Sequence, residues 1–299
     1  MDELYDTGFG IVIINTTKCF PLIISFVFLF QMEKVILTGS KGFIGSNLKV
    51  ELEKQFEVIE INEDVFNSHT WKSDVSNLFW LDIKAVFHVG ACSNTLEQNV
   101  NYMMLVNYEF SKHISNLCKS KKIPLIYSSS AANYGTNNEI PSNLYGWSKY
   151  IAEEYIINNG GIALRYFNVY GPGEEHKGIM SSVAYQMYIK NLSGDDIKLF
   201  PGNPRRDFIY VKDILSANMF AFENCKKLSG KFYDVGSGVA ESFEQILNIM
   251  KIDFGYTSKD IIPKGYQFYT CSNKLKWMKG WEPKYTLELG LTEYMNYLK

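Results

Sequence analysis

Tyr145 and Lys149 stand four residues apart in the run Tyr-Gly-Trp-Ser-Lys, preceded by Ser128, Ser129 and Ser130 and, far upstream, by Gly39, Gly42 and Gly45. On a helix this spacing puts both side chains on one face, a turn apart. An ammonium so placed lowers the phenol's pKa, and a phenolate near neutral pH takes a hydroxyl proton while hydride leaves the same carbon. Tyr-x-x-x-Lys alone is common on solvated helix faces. Its order after a glycine loop and a serine-rich strand gives it chemical meaning.

The three glycines follow an apolar run, Lys34 to Thr38, and precede helical periodicity from Ser46 to Gln55. Such a turn lets a ligand approach the backbone closely and aims helix N-terminal amides at a pyrophosphate. Gly39, Lys41, Gly42, Phe43, Ile44 and Gly45 are therefore read as cofactor-binding. The G-x-x-G-x-x-G spacing differs from the G-x-G-x-x-G of the ordinary dinucleotide fingerprint and, alone, would also suit a structural turn. The residue after the second strand, where the adenosine ribose is met, is Asn62. It carries no charge to repel a 2′-phosphate, and Lys41 would attract one, which points to NADP. Glu60, Glu63 and Asp64 keep NAD as the alternative, and Lys41 reads equally as a solvated loop cation.

Around these residues, apolar runs at Val58 to Ile61, Ala85 to Val89, Leu125 to Ser129 and Ile162 to Arg165 alternate with helical stretches at Tyr102 to Lys119 and Tyr145 to Asn158. The expected fold class is α/β: a doubly wound parallel-sheet Rossmann domain with a smaller C-terminal substrate-binding lobe. The expected division is 32–168 for the dinucleotide domain, with a return segment at about 207–236, and 169–206 plus 237–299 for the lobe. A loop over 171–178 leads into a helix from Ile179 to Lys190, and Trp277 and Trp281 are expected to pack in the lobe. The imidazoles of His69, His88 and His113 read as structural, His88 ending a buried strand.

With 46% hydrophobic and 21% charged residues among 299, the chain has an ordinary globular composition. A formal charge of -2 gives no reason to expect a nucleic-acid partner. Cys19, Cys92, Cys118, Cys225 and Cys271 lack C-x-x-C spacing and are odd in number, which suits reduced thiols in the cytoplasm and neither a metal site nor a disulfide framework. In the N-terminal stretch, the continuous apolar run from Pro21 to Phe30 is half of the roughly 20 residues a bilayer span needs. Asp2, Glu3 and Asp6 are wrong for a signal peptide, so no stable membrane association is expected. Residues 1–31 are expected to be a non-native or unstructured extension, with Met32 the biological start.

The runs Phe87 to Ser93, Tyr127 to Gly135 (YSSSAANYG), the Tyr145 motif, Arg165 to Pro172 (RYFNVYGP), Glu175 to Gly178 and Arg206-Asp207-Phe208 together resemble the extended short-chain dehydrogenase/reductase family. The stretches His88 to Ser93, Tyr102-Met103-Met104 and His176-Lys177-Gly178 resemble its epimerases acting at C6 of an ADP-activated heptose. The resemblance spans nearly everything after Met32 and implies a homo-oligomer. It implies that Tyr145 and Lys149 are the catalytic pair, that Ser130 hydrogen-bonds the reacting oxygen, and that Lys177 is a second acid or base. It also implies that Gly90, Ala91, Cys92 and Asn107 lie along the cofactor. Ser130, Asn168, Val169, His176, Gln186, Phe200, Gly202, Arg206 and Tyr266 would hold the nucleotide sugar, with Arg206 on its pyrophosphate.

Inverting a carbinol centre that is not acidic requires oxidation to a ketone, presentation of the ketone's other face, and return of the hydride. A proton-handling group near each position of the oxygen would explain pairing Tyr145 with Lys177. Because the hydride returns, the cofactor is not consumed. Three departures from the family pattern bear on the sugar: a short Glu63 to Lys84 segment, Ile179 and Gln186 in place of a polar serine and a histidine, and a shortened loop around Pro204. Another nucleotide-sugar epimerase, dehydratase or reductase is the alternative. Ala131 and Ala132 stand against a 4,6-dehydratase, which carries an acidic pair there, and the Ser130, Tyr145 and Lys149 set stands against a non-catalytic sensor.

Overall fold

The computed structural model describes residues 32–78, 80–136, 140–263 and 266–299. The expected extension over 1–31 lies outside the described residues. The first half of the chain supplies β1 (Lys34–Thr38), α1 (Phe43–Leu52), β2 (Glu57–Ile61), α2 (Trp71–Ser76) and β3 (Ile83–His88). Next come α3 (Val100–Met104), a π turn over Leu105–Glu109, α4 (Phe110–Lys121), β4 (Leu125–Ser130), α5 (Leu144–Asn158) and β5 (Ile162–Tyr166). The second half adds β6 (Asn168–Tyr170), α6 (Val183–Ser193), β7 (Lys198–Leu199), β8 (Arg205–Tyr210), α7 (Val211–Glu223), α8 (Cys225–Leu228) and β9 (Lys231–Val235). It closes with β10 (Ala240–Ser242), α9 (Phe243–Met250), β11 (Gly255–Tyr256) and α10 (Leu287–Leu298).

Six strands pair in parallel in the order β2-β1-β3-β4-β5-β9, as expected of a doubly wound sheet. The strand side chains alternate between two cores, which is why each strand reads as a continuous apolar run. Val35, Leu37, Ile126, Ile162 and Leu164 face one cluster with Ile214, Ala217 and Ala221 of α7. Ile36, Leu125, Tyr127 and Ala163 face the other with Ile114 of α4 and Ala152 and Ile156 of α5. Trp277 and Trp281 join the first cluster, not the lobe; the indole Nε1 of Trp281 donates to Ser216 Oγ of α7 at 3.0 Å.

The lobe has its own core around Tyr170, Leu199, Phe208, Leu247 and Leu291. Its strands form a three-stranded sheet, β10-β8-β6, and a pair, β11-β7. β8 thus belongs to the small sheet, whereas α7 covers the main sheet and β9 extends it beside β5. The helix expected from Ile179 is divided. A 3-10 turn over Glu175–Met180 kinks at Gly178, whose φ is 55°, and α6 begins only after Ser182, whose side chain accepts from the Tyr185 amide. Among the described residues no helix is long and apolar enough to cross a membrane.

Candidate active site

The strand order changes direction between β1 and β3, and at such a switch point the loops leaving the carboxyl ends of neighbouring strands diverge to leave a crevice. Here the crevice is a cleft of about 380 Å³. Gly39 has φ 70°, and a Cβ there would lie 2.5 Å from the Gly90 Cα, so the two loops touch through backbone alone. A Cβ on Gly45 would fall on the Gly39 carbonyl oxygen, which fixes how closely α1 leaves the turn. Gly42 differs: a Cβ there would meet only the Gly39 oxygen, at 3.4 Å. Gly42 caps α1 without any side-chain bond, so the first helical amides stay open to an anion. An open helix N-terminus set on a wall of small residues fits a dinucleotide pyrophosphate.

Gly39, Lys41, Gly42, Phe43, Ile44, Gly45, Asn62, Gly90, Ala91, Cys92, Tyr145 and Lys149, all expected at the cofactor, line this one cleft. Asn107 does not. It is fully buried behind the wall, with Oδ1 accepting from the Cys92 amide at 2.7 Å and Nδ2 donating to the Cys92 carbonyl at 3.0 Å and to Ser148 Oγ at 2.9 Å. Asn62 braces the glycine loop, Oδ1 accepting from Ser40 Oγ at 3.0 Å and from the Lys41 amide at 3.4 Å. Glu60 accepts from Lys49 Nζ at 2.5 Å and from Ser40 Oγ, and the Lys49 hydrogen bond is the main cause that holds its carboxyl below the usual range.

Tyr145 lies in the first turn of α5, which Asn143 caps by accepting from the Gly146 amide at 2.8 Å. Burial pushes the Tyr145 phenol up, and a hydrogen bond with Ser130 pulls it back. Lys149 does not supply the expected downward pull. Its ammonium is itself desolvated, which lowers it to about 7, with the Glu153 charge one turn on working the other way. Lys149 Nζ rests 4.2 Å from the Tyr127 ring centroid.

Lys177 and His176 line the same cleft from the loop after β6, on another element than Tyr145. Burial lowers the Lys177 ammonium while Glu174 raises it, and its Nζ stands 5.6 Å from the Phe43 ring centroid. Glu174 anchors this loop from a fully buried position, accepting from Ser182 Oγ at 2.8 Å and the Gly171 amide at 3.2 Å. Gln186 belongs to the same scaffold. Its Nε2 donates to the Ile179 and Ser181 carbonyls at 3.1 and 2.8 Å, so it braces the Lys177 loop and is not among the cleft-lining residues.

Phe200, Arg206 and Tyr266 come together as a second cluster on the lobe, outside that cleft, and Gly202 reaches it only through the Phe268 ring that packs on Tyr266. The Phe200 and Tyr266 rings meet edge-on at 5.0 Å, and the Arg206 guanidinium sits 5.4 Å from the Tyr266 ring centroid. Arg206 also donates to the Arg205 carbonyl at 2.9 Å and to that of Gln267. Gln267 in turn donates to the Gly135 carbonyl at 2.7 Å, tying the cluster to the turn after Ser130. Asn168 and Val169 sit on β6, where Asn168 Nδ2 donates to the Asp207 carbonyl at 3.2 Å.

The sequence reading passed over the buried pair beneath the Tyr-Lys helix. Arg165 Nε donates to Glu153 Oε2 at 2.9 Å and Nη2 to Oε1, while Ser129 Oγ and Asn133 Nδ2 donate to Glu153 at 2.6 and 3.1 Å. The signal was there: Glu153 follows Lys149 by four residues, the same interval that links Tyr145 to Lys149.

A parallel doubly wound sheet with a glycine turn at its switch point, and a serine, tyrosine and lysine beside it, define an enzyme that works on a hydroxyl-bearing carbon with a nicotinamide dinucleotide. The sequence pattern described as NAD dependent epimerase/dehydratase family matches residues 35–236, and the chain belongs to that family. It is 36% identical to a protein of Brachyspira hyodysenteriae named ADP-L-glycero-D-manno-heptose-6-epimerase, over 89% of this chain and 98% of that one. Among solved structures, ADP-L-glycero-D-manno-heptose-6-epimerase of Helicobacter pylori superposes with a TM-score of 0.78 at 26% identity, over 90% of this chain and 96% of that one. UDP-glucose 4-epimerase of Thermotoga maritima shares the fold, with a TM-score of 0.76 at 23% identity, over 89% of this chain and 98% of that one. The family resemblance drawn from the motifs is borne out.

Proposed function

We propose that this protein interconverts ADP-D-glycero-D-manno-heptose and ADP-L-glycero-D-manno-heptose at C6, in the cytoplasm, supplying heptose for lipopolysaccharide core. The observation that carries the reading is the presence of two proton-handling groups, Tyr145 and Lys177, on separate elements of one cleft. A reductase or dehydrogenase needs one such group; two suit an epimerase that returns hydride to either face of a ketone. The named activity of the relatives from Brachyspira and Helicobacter supports the same substrate.

Bound nicotinamide would supply the acceptor and donor of hydride. The residues to hold the dinucleotide are Gly39 to Gly45 at the pyrophosphate, Asn62 and Lys41 toward the adenosine, and Gly90, Ala91 and Cys92 along the opposite wall. Tyr145, as the phenolate that its interaction with Ser130 favours, takes the carbinol proton in one orientation of the sugar, and Lys177, as the neutral amine, serves the other. Desolvation lowers the Lys177 ammonium from its ordinary value, which makes it release its proton more readily than an exposed lysine would. Arg206, Tyr266 and Phe200 form the seat for the nucleotide end.

The phosphate-bearing cofactor, NADP, is part of this reading. Lys49 offsets the Glu60 charge, and the Lys41 side chain is only loosely paired with Asp64, at 3.7 Å with both groups mostly exposed. Glu63 in the cleft wall favours NAD. Dissociation constants for NADPH and NADH decide the point: tighter NADPH binding that Lys41→Ala abolishes supports it, and tighter NADH binding overturns it.

The activity is tested by proton NMR of protein from Met32 onward with ADP-D-glycero-D-manno-heptose and no added cofactor. The expected result is the L-glycero epimer, lost in Tyr145→Phe and slowed by about 10²–10⁴-fold in Lys177→Met with cofactor retained. Folded protein that gives no epimer with or without NADP or NAD refutes the heptose assignment. Ile179, largely exposed on the Lys177 loop, and the engaged Gln186 would then direct the search to another nucleotide sugar.

A further inference from the structure

His88 ends β3 inside the protein, fully buried between the rings of Phe110 and Tyr127, each with its centroid 5.4 Å away. Its two ring nitrogens meet Thr38 Oγ1 and Ser111 Oγ, both at 2.7 Å. Donor counting fixes the roles. Ser111 donates its only proton to the Asn107 carbonyl at 2.7 Å, so it accepts from His88 Nε2–H. The ring nitrogen left as acceptor, Nδ1, takes the Thr38 hydroxyl proton. Thr38 Oγ1 in turn accepts the Gly90 amide at 2.9 Å. Burial, with the Lys149 charge adding to it, lowers the imidazole to about 3, so a neutral ring with this single tautomer is maintained.

The chain of bonds has a geometric consequence. Both of its ends grip the same short loop, Gly90 to Cys92, which forms one wall of the dinucleotide cleft. One end holds the Gly90 amide through Thr38. The other reaches Asn107, set in the π turn of Leu105–Glu109, whose carboxamide brackets the Cys92 peptide and reaches Ser148 between Tyr145 and Lys149. His88 is the only member that touches both sides, Thr38 on β1 and Ser111 on α4. The bland alternative is a histidine that merely satisfies its own nitrogens in a core; that reading assigns no consequence to the loop.

We propose that His88 is a positioning residue for the nicotinamide dinucleotide, joining the Thr38 and Ser111–Asn107 grips into one clasp that sets the Gly90–Cys92 wall. The proposal depends on the cofactor class of the family and not on the sugar. It is tested with cofactor-free protein titrated with NADPH and with NADH, in wild type, Thr38→Val, Ser111→Ala and the double variant. Thr38→Val keeps the side-chain shape, and Ser111→Ala removes one oxygen, so both are chosen to leave the fold in place.

Each single variant is expected to weaken binding of the preferred dinucleotide by about tenfold, the effect of one buried hydrogen bond. Because either cut opens the same clasp, the double variant should be no more than about threefold worse than the weaker single, well short of the roughly hundredfold that independent sites would give by multiplication. A multiplied loss in the double variant overturns the clasp. Lowered melting temperatures with dissociation constants within about twofold of wild type also overturn it, leaving a core histidine only. If Ser111→Ala does not fold, Thr38→Ser and Thr38→Val provide the second comparison: serine should restore wild-type affinity, and equal loss in both refutes the hydroxyl's role.

Discussion

Replacing Glu153 by glutamine removes one negative charge from the buried face of α5 while keeping its shape. In the wild type, Glu153 is fully buried and accepts from Arg165, Ser129 and Asn133. Arg165, only 5% exposed, would be left as an uncompensated buried cation. Breaking such a pair from one side costs about 3 kcal/mol or more. At about 2–4 °C per kcal/mol for a chain of this size class, thermal unfolding should fall by roughly 6–12 °C. A second effect reaches the chemistry. Glu153 is the charge that raises Lys149 against its desolvation, so losing it lowers Lys149 further from about 7. If the reaction needs the Lys149 ammonium, kcat/KM is lost as pH rises through that pKa, and the alkaline limb of the variant moves down. A unit charge about 6 Å away at an effective dielectric near 20 contributes about 2–3 kcal/mol, and because Arg165 keeps its charge in both proteins the limb should move by roughly 1.5–2 pH units. The assays are scanning calorimetry and the pH profile of kcat/KM between pH 5.5 and 9. Replacing both members, Glu153→Leu with Arg165→Met, should recover most of the melting temperature because no charge is stranded. An unchanged melting point in Glu153→Gln, or an alkaline limb that stays put or moves up, would refute the reasoning.

Two further outcomes follow from the same geometry. Gly45→Ala places a methyl on the Gly39 carbonyl oxygen, so α1 must back away from the glycine turn; dinucleotide binding measured by fluorescence titration should weaken by at least about tenfold, whereas Gly255→Ala on β11, with nothing near its Cβ and no left-handed backbone, should leave it unchanged. His88 has a folded pKa of about 3, below its ordinary 6.5, so its contribution to stability is fully present above pH 6.5 and is lost as pH falls toward 3. Denaturant unfolding between pH 7.5 and 4.5 should therefore show wild type losing up to about 1.4 kcal/mol per pH unit that His88→Asn does not lose; parallel curves for the two proteins would contradict a neutral buried imidazole.

What the sequence determined by itself is the local chemistry and the layer order. Glycine spacing, the Tyr-x-x-x-Lys interval and the apolar runs act over one turn or one strand, so the composition of a short segment decides them. The Tyr145–Lys149 pair, the glycine loop and the alternation of strands and helices were legible for that reason. Resemblance added Lys177, whose surroundings no local pattern predicts. Tertiary structure decided everything that depends on contact between distant segments. It bound Asn107 behind the cleft wall, because its carboxamide finds the Cys92 peptide 15 residues away in sequence. It turned Gln186 inward as a brace for the Lys177 loop, and it carried Trp277 and Trp281 out of the lobe onto α7. Most of all, it set the charge states: spacing says that a lysine neighbours a tyrosine, but burial decides that this lysine titrates near 7 and that the phenol's downward pull comes from Ser130. Desolvation is a property of the packed surroundings, and those come together only when the whole chain has folded.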